Sequence, residues 1–182
     1  METSKSRERR VREGFFQTYC VGRGLDIGCG DDPLSTPYGT VTPYDKRDGD
    51  ATFIDKFIER FDFVYSSHCL EHLHEPDIAI RSWYDQVKTG GYLIVCVPHR
   101  DLYEKKKFLP SNFNSDHKSF WLPEKSDNIH TYGVRELFNK VLDGCKYDWI
   151  QIKACNEGWV ETDPETHSEG EYQIEAILQR LD

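Results

Sequence analysis

The sequence predicts a doubly wound α/β fold with a mostly parallel sheet. Apolar strand-like runs alternate with helix-like segments, which is the order that parallel strands joined by crossover helices produce. The first run contains Leu25 and Ile27 and ends in a turn with Gly28 and Gly30. Glycine at a turn permits positive φ and lets a ligand approach the main chain. With 182 residues, the chain has the length of a single domain.

The N-terminal segment, residues 1–21, is predicted to form a helix or cap ahead of a domain over residues 22–182. Its apolar residues fall at near-helical spacing: Val11, Phe15, Phe16 and Tyr19. We therefore expect the segment to pack on the sheet edge or to cap the site. The mixed charge run over residues 5–13 is interpreted as the solvated face of this helix.

The early connections of the domain are predicted to be short. Two prolines between residues 31 and 39 leave little room for a crossover helix after the first strand. The second strand is expected at residues 40–45 and a short third strand at 51–54. The fourth strand is expected at residues 61–67, and at most one helical turn fits before it.

The second half of the sequence has more regular patterns. An apolar stripe predicts a helix over residues 78–87, ended by Gly90 and Gly91 and followed by an apolar strand at 92–97. Residues 98–131 are polar and aromatic without periodicity. Connections of this length are usually functional or disordered, so we interpret the segment as a substrate loop or lid.

The C-terminal part of the sequence is predicted to close the sheet. The clearest helical stripe of the chain covers residues 134–142 and is interpreted as core. Two closing strands are expected at residues 147–152 and 172–178. In the second of these, Gln173 and Glu175 are predicted to face outward.

Composition excludes several classes of function. The formal net charge of -9 disfavours a surface that follows nucleic-acid phosphates. The six cysteines are scattered without a C-x-x-C pair, which favours a reducing compartment and hence the cytoplasm. No apolar run approaches the length of about 18 residues that a membrane span needs, and no signal peptide is recognisable.

The order of the polar residues predicts where a ligand binds. In an open α/β sheet the ligand lies outside the carboxyl ends of the strands, where the strand order reverses. Gly28 and Gly30 follow the first strand, and Ser67 and His68 end the fourth. Asp45 ends the second strand, where its carboxylate can accept both hydroxyl hydrogens of a ribose. The absence of a Gly-Lys-Ser/Thr loop fits a ligand with adenine and ribose but no phosphate.

Five motifs carry a resemblance to a known family: LDIGCG at 25–30, YD at 44–45, GDA at 49–51, FDFVYSSHCLEHL at 61–73 and GGYLIVCVPH at 90–99. Over residues 22–180 the chain resembles the class I S-adenosylmethionine-dependent methyltransferases. The motifs are like those of the small, single-domain methyltransferase type 11 and ubiquinone methyltransferases. The resemblance implies a seven-stranded Rossmann-like sheet with an antiparallel last strand and shortened early crossovers.

The resemblance also implies S-adenosylmethionine as cofactor and a set of residues that hold it. These residues are Asp26, Gly28, Cys29, Gly30, Asp45, Asp50, Ala51, Ser67 and His68. The first four face the methionine part of the cofactor and the last two form the floor of the site. Between them, Asp45 faces the ribose, and Asp50 with Ala51 the adenine. Asp26 has a structural role open to it as well, which is to hold backbone amides of the glycine turn.

A base is needed if the methyl acceptor is a hydroxyl group. The candidates are His99 and Asp101, just past the strand at 92–97, and His117 in the lid. Aromatic and basic residues of the lid suit a small polar molecule or glycan precursor, methylated at oxygen. A methyltransferase acting on RNA or protein, and a non-catalytic domain that binds the cofactor, remain open.

Other interpretations fit the sequence less well. The run from His68 to His72 matches H-x-x-E-H, the inverted zinc-peptidase motif, but it follows a strand and precedes Pro76, whereas that motif lies inside a long helix. A nicotinamide dehydrogenase is disfavoured because Pro33 takes the place of the third glycine. A DNA amino-methyltransferase would need an Asn-Pro-Pro-aromatic turn. No metal ligand is assigned, although an ion that assists substrate binding stays open.

Overall fold

The chain folds into one six-stranded mixed sheet and a small two-stranded parallel sheet. The computed structural model describes residues 2–160 and 163–182. The strands are β1 (Gly22–Ile27), β2 (Gly39–Tyr44), β3 (Phe61–Ser67), β4 (Val87–Pro98), β5 (Phe120–Leu122), β6 (Thr131–Gly133), β7 (Tyr147–Cys155) and β8 (Gln173–Arg180). The helices are α1 (Glu2–Lys5), α2 (Arg7–Arg12), α3 (Phe15–Tyr19), α4 (Pro76–Asp85) and α5 (Val134–Val141). The strand order of the large sheet is β2-β1-β3-β4-β8-β7, and β5 pairs with β6.

The strand order reverses beside β1. The chain passes from β1 to β2 on one side and then crosses to β3 on the other, and β1 to β4 are parallel. Strand β8 is antiparallel to both of its neighbours, β4 and β7. The prediction of a doubly wound, mostly parallel sheet with an antiparallel last strand is therefore confirmed. A crevice forms at the carboxyl ends of β1 and β3, where the connections diverge.

The prediction of a third strand at residues 51–54 is wrong, so the large sheet has six strands and not seven. Side chains of α4 take the backbone groups that a strand would pair. The Trp83 indole donates to the Ala51 carbonyl at 2.7 Å, and the Ile54 amide donates to Ser82 Oγ at 2.7 Å. The Gln86 side chain, just past α4, donates to the Ile54 carbonyl at 3.0 Å. With these groups satisfied, β2 stays at the edge of the sheet.

The predicted helix end at Gly90 and Gly91 is also wrong. Helix α4 already ends at Asp85, and β4 begins at Val87 and runs through both glycines. A Cβ on Gly91 would lie 2.5 Å from a carbonyl oxygen of β3. The absence of a side chain therefore serves the close approach of two strands, whose register shifts at this point.

Helices cover both faces of the large sheet. Helices α4 and α5 pack on one face through Trp83, Leu137 and Phe138, all buried. On the other face, Phe15 and Phe16 of α3 contact a smaller apolar cluster with residues of β3, β4 and β8. The N-terminal segment therefore packs on the sheet face and not at the edge. Within the described part of the chain, no helix has the length and apolarity needed to cross a membrane.

The N-terminal charge run is a solvated face only in part: Lys5, Arg7, Glu8, Arg12 and Glu13 are exposed, as predicted, but Arg9 and Arg10 are buried. Arg10 is fully buried, and its Nε donates to Glu175 Oε2 at 2.8 Å. Arg9 is also buried and donates to Glu171 Oε1 at 2.9 Å and to Glu175 Oε2 at 3.2 Å. The prediction that Gln173 and Glu175 face outward is wrong for the same reason, because the N-terminal helices cover β8 and bury both side chains.

The buried ion pairs hold Glu175 in its charged form. Burial raises the pKa of the Glu175 carboxyl, but the guanidinium groups of Arg10 and Arg9 outweigh it, so the pKa lies below its ordinary value. A buried charge that keeps its partners is tolerated, whereas one that loses a partner is strongly destabilising. The covering of the sheet by the N-terminal helices therefore depends on these arginines.

The long segment predicted over residues 98–131 contains β5 and the start of β6 and otherwise has no regular structure. It is tied to the large sheet where β4 ends, through a parallel bridge between His99 and Trp121. The Trp121 side chain is fully buried in the main core. Residues 99–119 are thereby held beside the carboxyl ends of the strands.

Replacing Arg10 by methionine is expected to lower the free energy of unfolding by about 3–5 kcal/mol, because Glu175 keeps one buried arginine but loses the other. Urea denaturation at neutral pH measures the change. Arg12→Met is the control, since Arg12 lies on the same helix and its ion pair with Glu157 is exposed; its midpoint should match that of the wild type. Equal midpoints for Arg10→Met and the wild type would contradict the structural role of the buried pair.

Candidate active site

Two adjoining cavities lie at the carboxyl edge of the large sheet and share His68 and His72. The first cavity has a volume of about 570 Å³ and the second about 350 Å³. The first cavity is lined by Gly28, Asp45, Lys46, Gly49, Asp50, Ala51, His68, Cys69, His72, Leu73, His74, Asp116 and Lys118. The second cavity is lined by Glu2, Lys5, His68, Glu71, His72, Tyr103, Asn114, His117, His167 and Tyr172. Their volumes are those of small-molecule sites.

A third cavity of about 580 Å³ lies between α4 and α5. Its lining includes Ile78, Arg81 and Leu137, and none of its lining residues comes from a strand of the large sheet. The topological argument places ligands at the strand ends, so we assign the site to the first two cavities.

The turn after β1 is built on Gly28 and Gly30. Gly28 has a φ of 73°, and a Cβ there would lie 2.5 Å from the Cys69 side chain, so only glycine fits. The Gly28 amide donates to the Tyr44 carbonyl at 2.8 Å. The Gly30 amide donates to Asp45 Oδ2 at 2.6 Å, which joins the end of β1 to the end of β2.

Asp45 presents a hydrogen-bonded carboxylate to the first cavity. Its two oxygens accept from the amides of Gly30 and Lys46, each at 2.6 Å. A carboxylate oxygen has a second lone pair, so both oxygens can still accept from a ligand. Asp50 and Ala51 line the same cavity, and Ala51 is held in place by the Trp83 indole.

Four other residues predicted to bind a cofactor do not line the first cavity: Asp26, Cys29, Gly30 and Ser67. Asp26 is buried beneath the glycine turn, where its Oδ2 accepts from the Leu34 amide at 2.6 Å. Burial raises the pKa of Asp26 to about 7. Cys29 and Gly30 belong to the turn, and the Ser67 hydroxyl is buried without a hydrogen-bond partner among the described residues.

His68 stands between the two cavities at the end of β3. It has a φ of 54°, unusual for a residue with a side chain, and its amide donates to the Cys96 carbonyl at 2.9 Å. Its Nε2 lies 3.1 Å from Gln173 Oε1. Burial lowers the pKa of His68 to about 4, so its imidazole is neutral at physiological pH.

A short 3₁₀ helix, Leu70–His72, follows β3 and directs Glu71 and His72 toward the second cavity. The structure thus confirms that the H-x-x-E-H run is a strand end and turn and not part of a long helix. Glu71 is fully buried, and neither carboxylate oxygen has a hydrogen-bond partner among the residues that the structure describes. Burial raises the pKa of Glu71 well above its ordinary value.

His117 of the long segment reaches the second cavity opposite Glu71. Its Nδ1 lies 2.6 Å from Glu104 Oε1, and its Nε2 lies 4.0 Å from Glu71 Oε1. The Glu104 carboxylate therefore fixes the Nδ1–H tautomer, which leaves Nε2 as an acceptor directed into the cavity. The edge of the His72 ring meets the His117 ring, with centroids 4.9 Å apart.

The other two predicted catalytic residues line neither cavity. His99 Nδ1 accepts from the Asp101 amide at 3.1 Å, and burial lowers the pKa of His99. The exposed Asp101 carboxylate accepts from Arg100 Nε at 2.8 Å. The structure thus brings only His117, of the three candidates, to a cavity.

Sequence reasoning did not single out Glu104, Tyr172, Glu2 or Lys5. Glu104 stands between Tyr103 and three consecutive lysines, and a single acidic residue at such a place could have been predicted to have a role in the site. Tyr172 and the N-terminal residues reach the second cavity only through tertiary packing: Tyr172 Oη donates to Glu2 Oε1 at 2.8 Å. A local sequence pattern cannot predict a contact between residues that are 170 positions apart.

Comparison with known proteins gives a consistent picture. The model of a family described as a methyltransferase domain matches residues 16–138. Among solved structures, a S-adenosylmethionine-dependent methyltransferase from Clostridium acetobutylicum has a TM-score of 0.63 at 11% identity, covering 100% of this chain and 93% of that one. The N-methyltransferase NodS from Bradyrhizobium japonicum, in complex with S-adenosyl-L-homocysteine, has a TM-score of 0.57 at 15% identity, covering 98% and 88%.

A third similar structure is the glycopeptide N-methyltransferase MtfA, with a TM-score of 0.56 at 13% identity, covering 99% of this chain and 90% of that one. At such identities the likeness establishes the fold. No curated protein matches the sequence significantly.

The raised pKa of Asp26 predicts a pH-dependent contribution to stability. The native state keeps this proton between about pH 4, where an unfolded aspartate titrates, and pH 7, so the contribution is complete at low pH and is lost as the pH rises through about 7. In Asp26→Asn the side-chain oxygen still accepts from Leu34 but does not titrate. The free energy of unfolding of the variant, minus that of the wild type, should rise by up to about 1.4 kcal/mol per pH unit over this range.

Urea denaturation at several pH values between about pH 5 and pH 8 checks this expectation. Asp31→Asn is the matched control, because Asp31 lies in the connection that follows β1 and is exposed. A difference between Asp26→Asn and the wild type that does not change with pH would show that Asp26 is ionised throughout.

Proposed function

The chain belongs to the methyltransferase domain family as a S-adenosylmethionine-dependent enzyme, and from that premise we propose that it methylates a hydroxyl oxygen of a small polar molecule or glycan precursor. The donor is assigned to the first cavity and the acceptor to the second. The observation that carries the assignment is the His117 imidazole, held by Glu104 at 2.6 Å with its free nitrogen directed into the second cavity.

The first cavity suits the adenosyl part of S-adenosylmethionine. Asp45 lies at the end of β2 with unused lone pairs for ribose hydroxyls, and Asp50 offers an acceptor for the adenine amine. Gly28 keeps the main chain open where the methionine part would pass. His68 and Cys69 form the inner wall at the end of β3. Such a set of acceptors fits a ligand without phosphate.

S-adenosylmethionine supplies a methyl group on a positively charged sulfur, so the acceptor forms the new bond to carbon while the electron pair of the broken carbon–sulfur bond stays on sulfur. The protein has to align the acceptor and remove its proton. An imidazole whose Nδ1–H is bonded to a carboxylate is suited to that task, because the proton arriving on Nε2 is stabilised by Glu104. His117 therefore accepts the proton of the acceptor hydroxyl.

The second cavity indicates a small acceptor. Its volume of about 350 Å³ suits a small molecule or one sugar-sized group. Its walls combine the rings of Tyr103 and Tyr172, whose centroids are 4.8 Å apart, with polar groups such as Lys5 and Asn114. Aromatic faces beside hydrogen-bonding groups are suited to a sugar ring. The net charge of -9 argues further against RNA.

An amine nitrogen is the second candidate acceptor. Two of the similar structures, NodS and MtfA, are N-methyltransferases by name. An amine acceptor also loses a proton during methylation, so the same cavity and the same imidazole serve it. A panel that contains both amino sugars and hydroxyl-only sugars distinguishes the two acceptor atoms.

Asp45→Ala is expected to weaken the binding of S-adenosylhomocysteine by about 10- to 100-fold, the effect of losing hydrogen bonds to a charged acceptor. Isothermal titration calorimetry measures the dissociation constant. Asp31→Ala is the control, because the exposed Asp31 does not line the first cavity. If Asp45→Ala binds the ligand as tightly as the wild type while remaining folded, the donor does not occupy the first cavity as proposed.

His117→Ala is expected to lower kcat by about 100- to 10,000-fold, the usual contribution of a general base, with the affinity for S-adenosylhomocysteine unchanged. Release of S-adenosylhomocysteine is measured over monosaccharides, sugar nucleotides and amino sugars. His130→Ala is the matched control, since His130 lines neither cavity. Unchanged turnover in His117→Ala, together with a loss of turnover in His99→Ala, would show that His99 is the base and His117 is not.

A further inference from the structure

Three side chains with metal-binding atoms meet at the floor of the second cavity: Glu71, His72 and His117. Glu71 Oε1 lies 3.8 Å from His72 Nε2 and 4.0 Å from His117 Nε2, and the three ligand atoms all lie within 4.8 Å of one another. We propose that these three residues bind one divalent transition-metal ion of the zinc class.

The distances match an ion site that closes slightly on binding. Zinc lies about 2.0–2.2 Å from imidazole nitrogen and carboxylate oxygen, so ligand atoms around it are separated by roughly 3.0–3.6 Å. The two separations from Glu71, 3.8 and 4.0 Å, exceed this range by less than about 0.5 Å, and no pair of ligand atoms exceeds it by more than about 1.2 Å, which side-chain rotations remove. Two imidazoles with one carboxylate form a ligand set that also occurs in catalytic zinc and non-haem iron sites.

The outward-facing nitrogens of both histidines lie beside carboxylates. His117 Nδ1 is 2.6 Å from Glu104 Oε1, and His72 Nδ1 is 3.2 Å from Asp116 Oδ2. A metal-binding histidine almost always donates its second ring N–H to such a partner, which fixes the tautomer and raises the basicity of the ligand nitrogen. The His117 ring meets this condition and is oriented with Nε2 toward Glu71, whereas His72 Nδ1 lies near Asp116 without forming a hydrogen bond.

The burial of Glu71 is the independent observation that indicates a cation. Its side chain is 1% exposed, and both carboxylate oxygens are without a hydrogen-bond partner among the described residues. A buried polar group in this state costs free energy, and nearly all native examples are hydrogen-bonded, paired or bound to metal. A divalent ion supplies the missing partner.

The nature of the ligands selects the class of ion. Two imidazole nitrogens favour zinc, iron, nickel or copper over magnesium and calcium, which prefer oxygen ligands. Three protein ligands leave at least one coordination position for another molecule. The same three residues line the second cavity, so that position is open to the acceptor.

The ion also suggests how the acceptor is activated. This role of the ion rests on the proposed function, whereas the metal site itself does not. With the ion bound, Nε2 of His117 is a ligand and does not take the proton of the acceptor. Instead, the acceptor hydroxyl coordinates the ion, its pKa falls, and its proton passes to water, leaving the oxygen charged for methylation. The His117 imidazole therefore acts as a base when the ion is absent and as a metal ligand when the ion is bound.

Metal binding to the intact protein tests the site without any activity measurement. The purified chain is stripped with a chelator and titrated with zinc chloride by calorimetry, and with cobalt chloride by visible absorption, whose bands report the coordination of the ion. One ion per chain is expected. Glu71→Gln and His72→Ala should weaken binding by more than about 100-fold, and Glu104→Gln by about 10- to 100-fold.

His74→Ala is the matched control, because His74 lies two residues from His72, is exposed and is outside the three-residue cluster. Thermal melts of the stripped proteins show which variants are folded, and Glu71→Gln keeps the size of the side chain if His72→Ala does not fold. Equal zinc affinity in the wild type, Glu71→Gln and His72→Ala would overturn the site.

Turnover of the stripped and the zinc-loaded protein then separates this inference from the proposed function. Higher turnover with zinc supports acceptor activation by the ion. Equal turnover in both forms overturns that step and leaves His117 as the base. Stoichiometric zinc binding in a protein that methylates no member of the acceptor panel supports the site and counts against the proposed function.

Discussion

The reversal of strand order beside β1 is the constraint on which the arrangement of the site depends. Because β1, β2 and β3 are parallel and their connections leave in opposite directions, their carboxyl ends open onto a shared crevice. The Gly30 amide bonded to Asp45 closes one side of this crevice, and the left-handed backbone of His68 turns the chain on the other side. The two cavities are the two halves of the space beyond these ends, with His68 between them.

The buried arginines attach the N-terminal helices to the sheet and so bring N-terminal residues to the site. A sheet with short early crossovers has less helix to cover its faces, and the face over β3, β4 and β8 is closed by α2 and α3 instead. Arg9 and Arg10 fasten these helices to Glu171 and Glu175. The same fastening brings Glu2 and Lys5 of α1 to the second cavity, so the ion pairs that complete the core also complete the site.

How far the sequence predicted this structure depended on whether the information was local. The strand ends at Gly28, Asp45 and His68 follow from periodicity and turn residues, and the cavity that they share follows from topology. The failures came from tertiary contacts: side chains of α4 satisfied the backbone at residues 51–54, and a pair of glycines served close strand packing. The burial of Arg9 and Arg10 was missed because their partners, Glu171 and Glu175, lie 162 and 165 residues away in the sequence, a distance that no local pattern bridges.

The position of Glu71 explains why the histidines of the second cavity meet at all. Its carbonyl oxygen accepts from the Lys118 amide at 2.7 Å and from the Ser119 amide at 3.3 Å, so the long segment is fastened by its main chain to the turn after β3. The separation of His117 from His72 is therefore set by backbone hydrogen bonds and does not depend on the charge of the Glu71 side chain. The main chain of a site fixed in this way is in place before a ligand arrives, so binding has to order only the side chains.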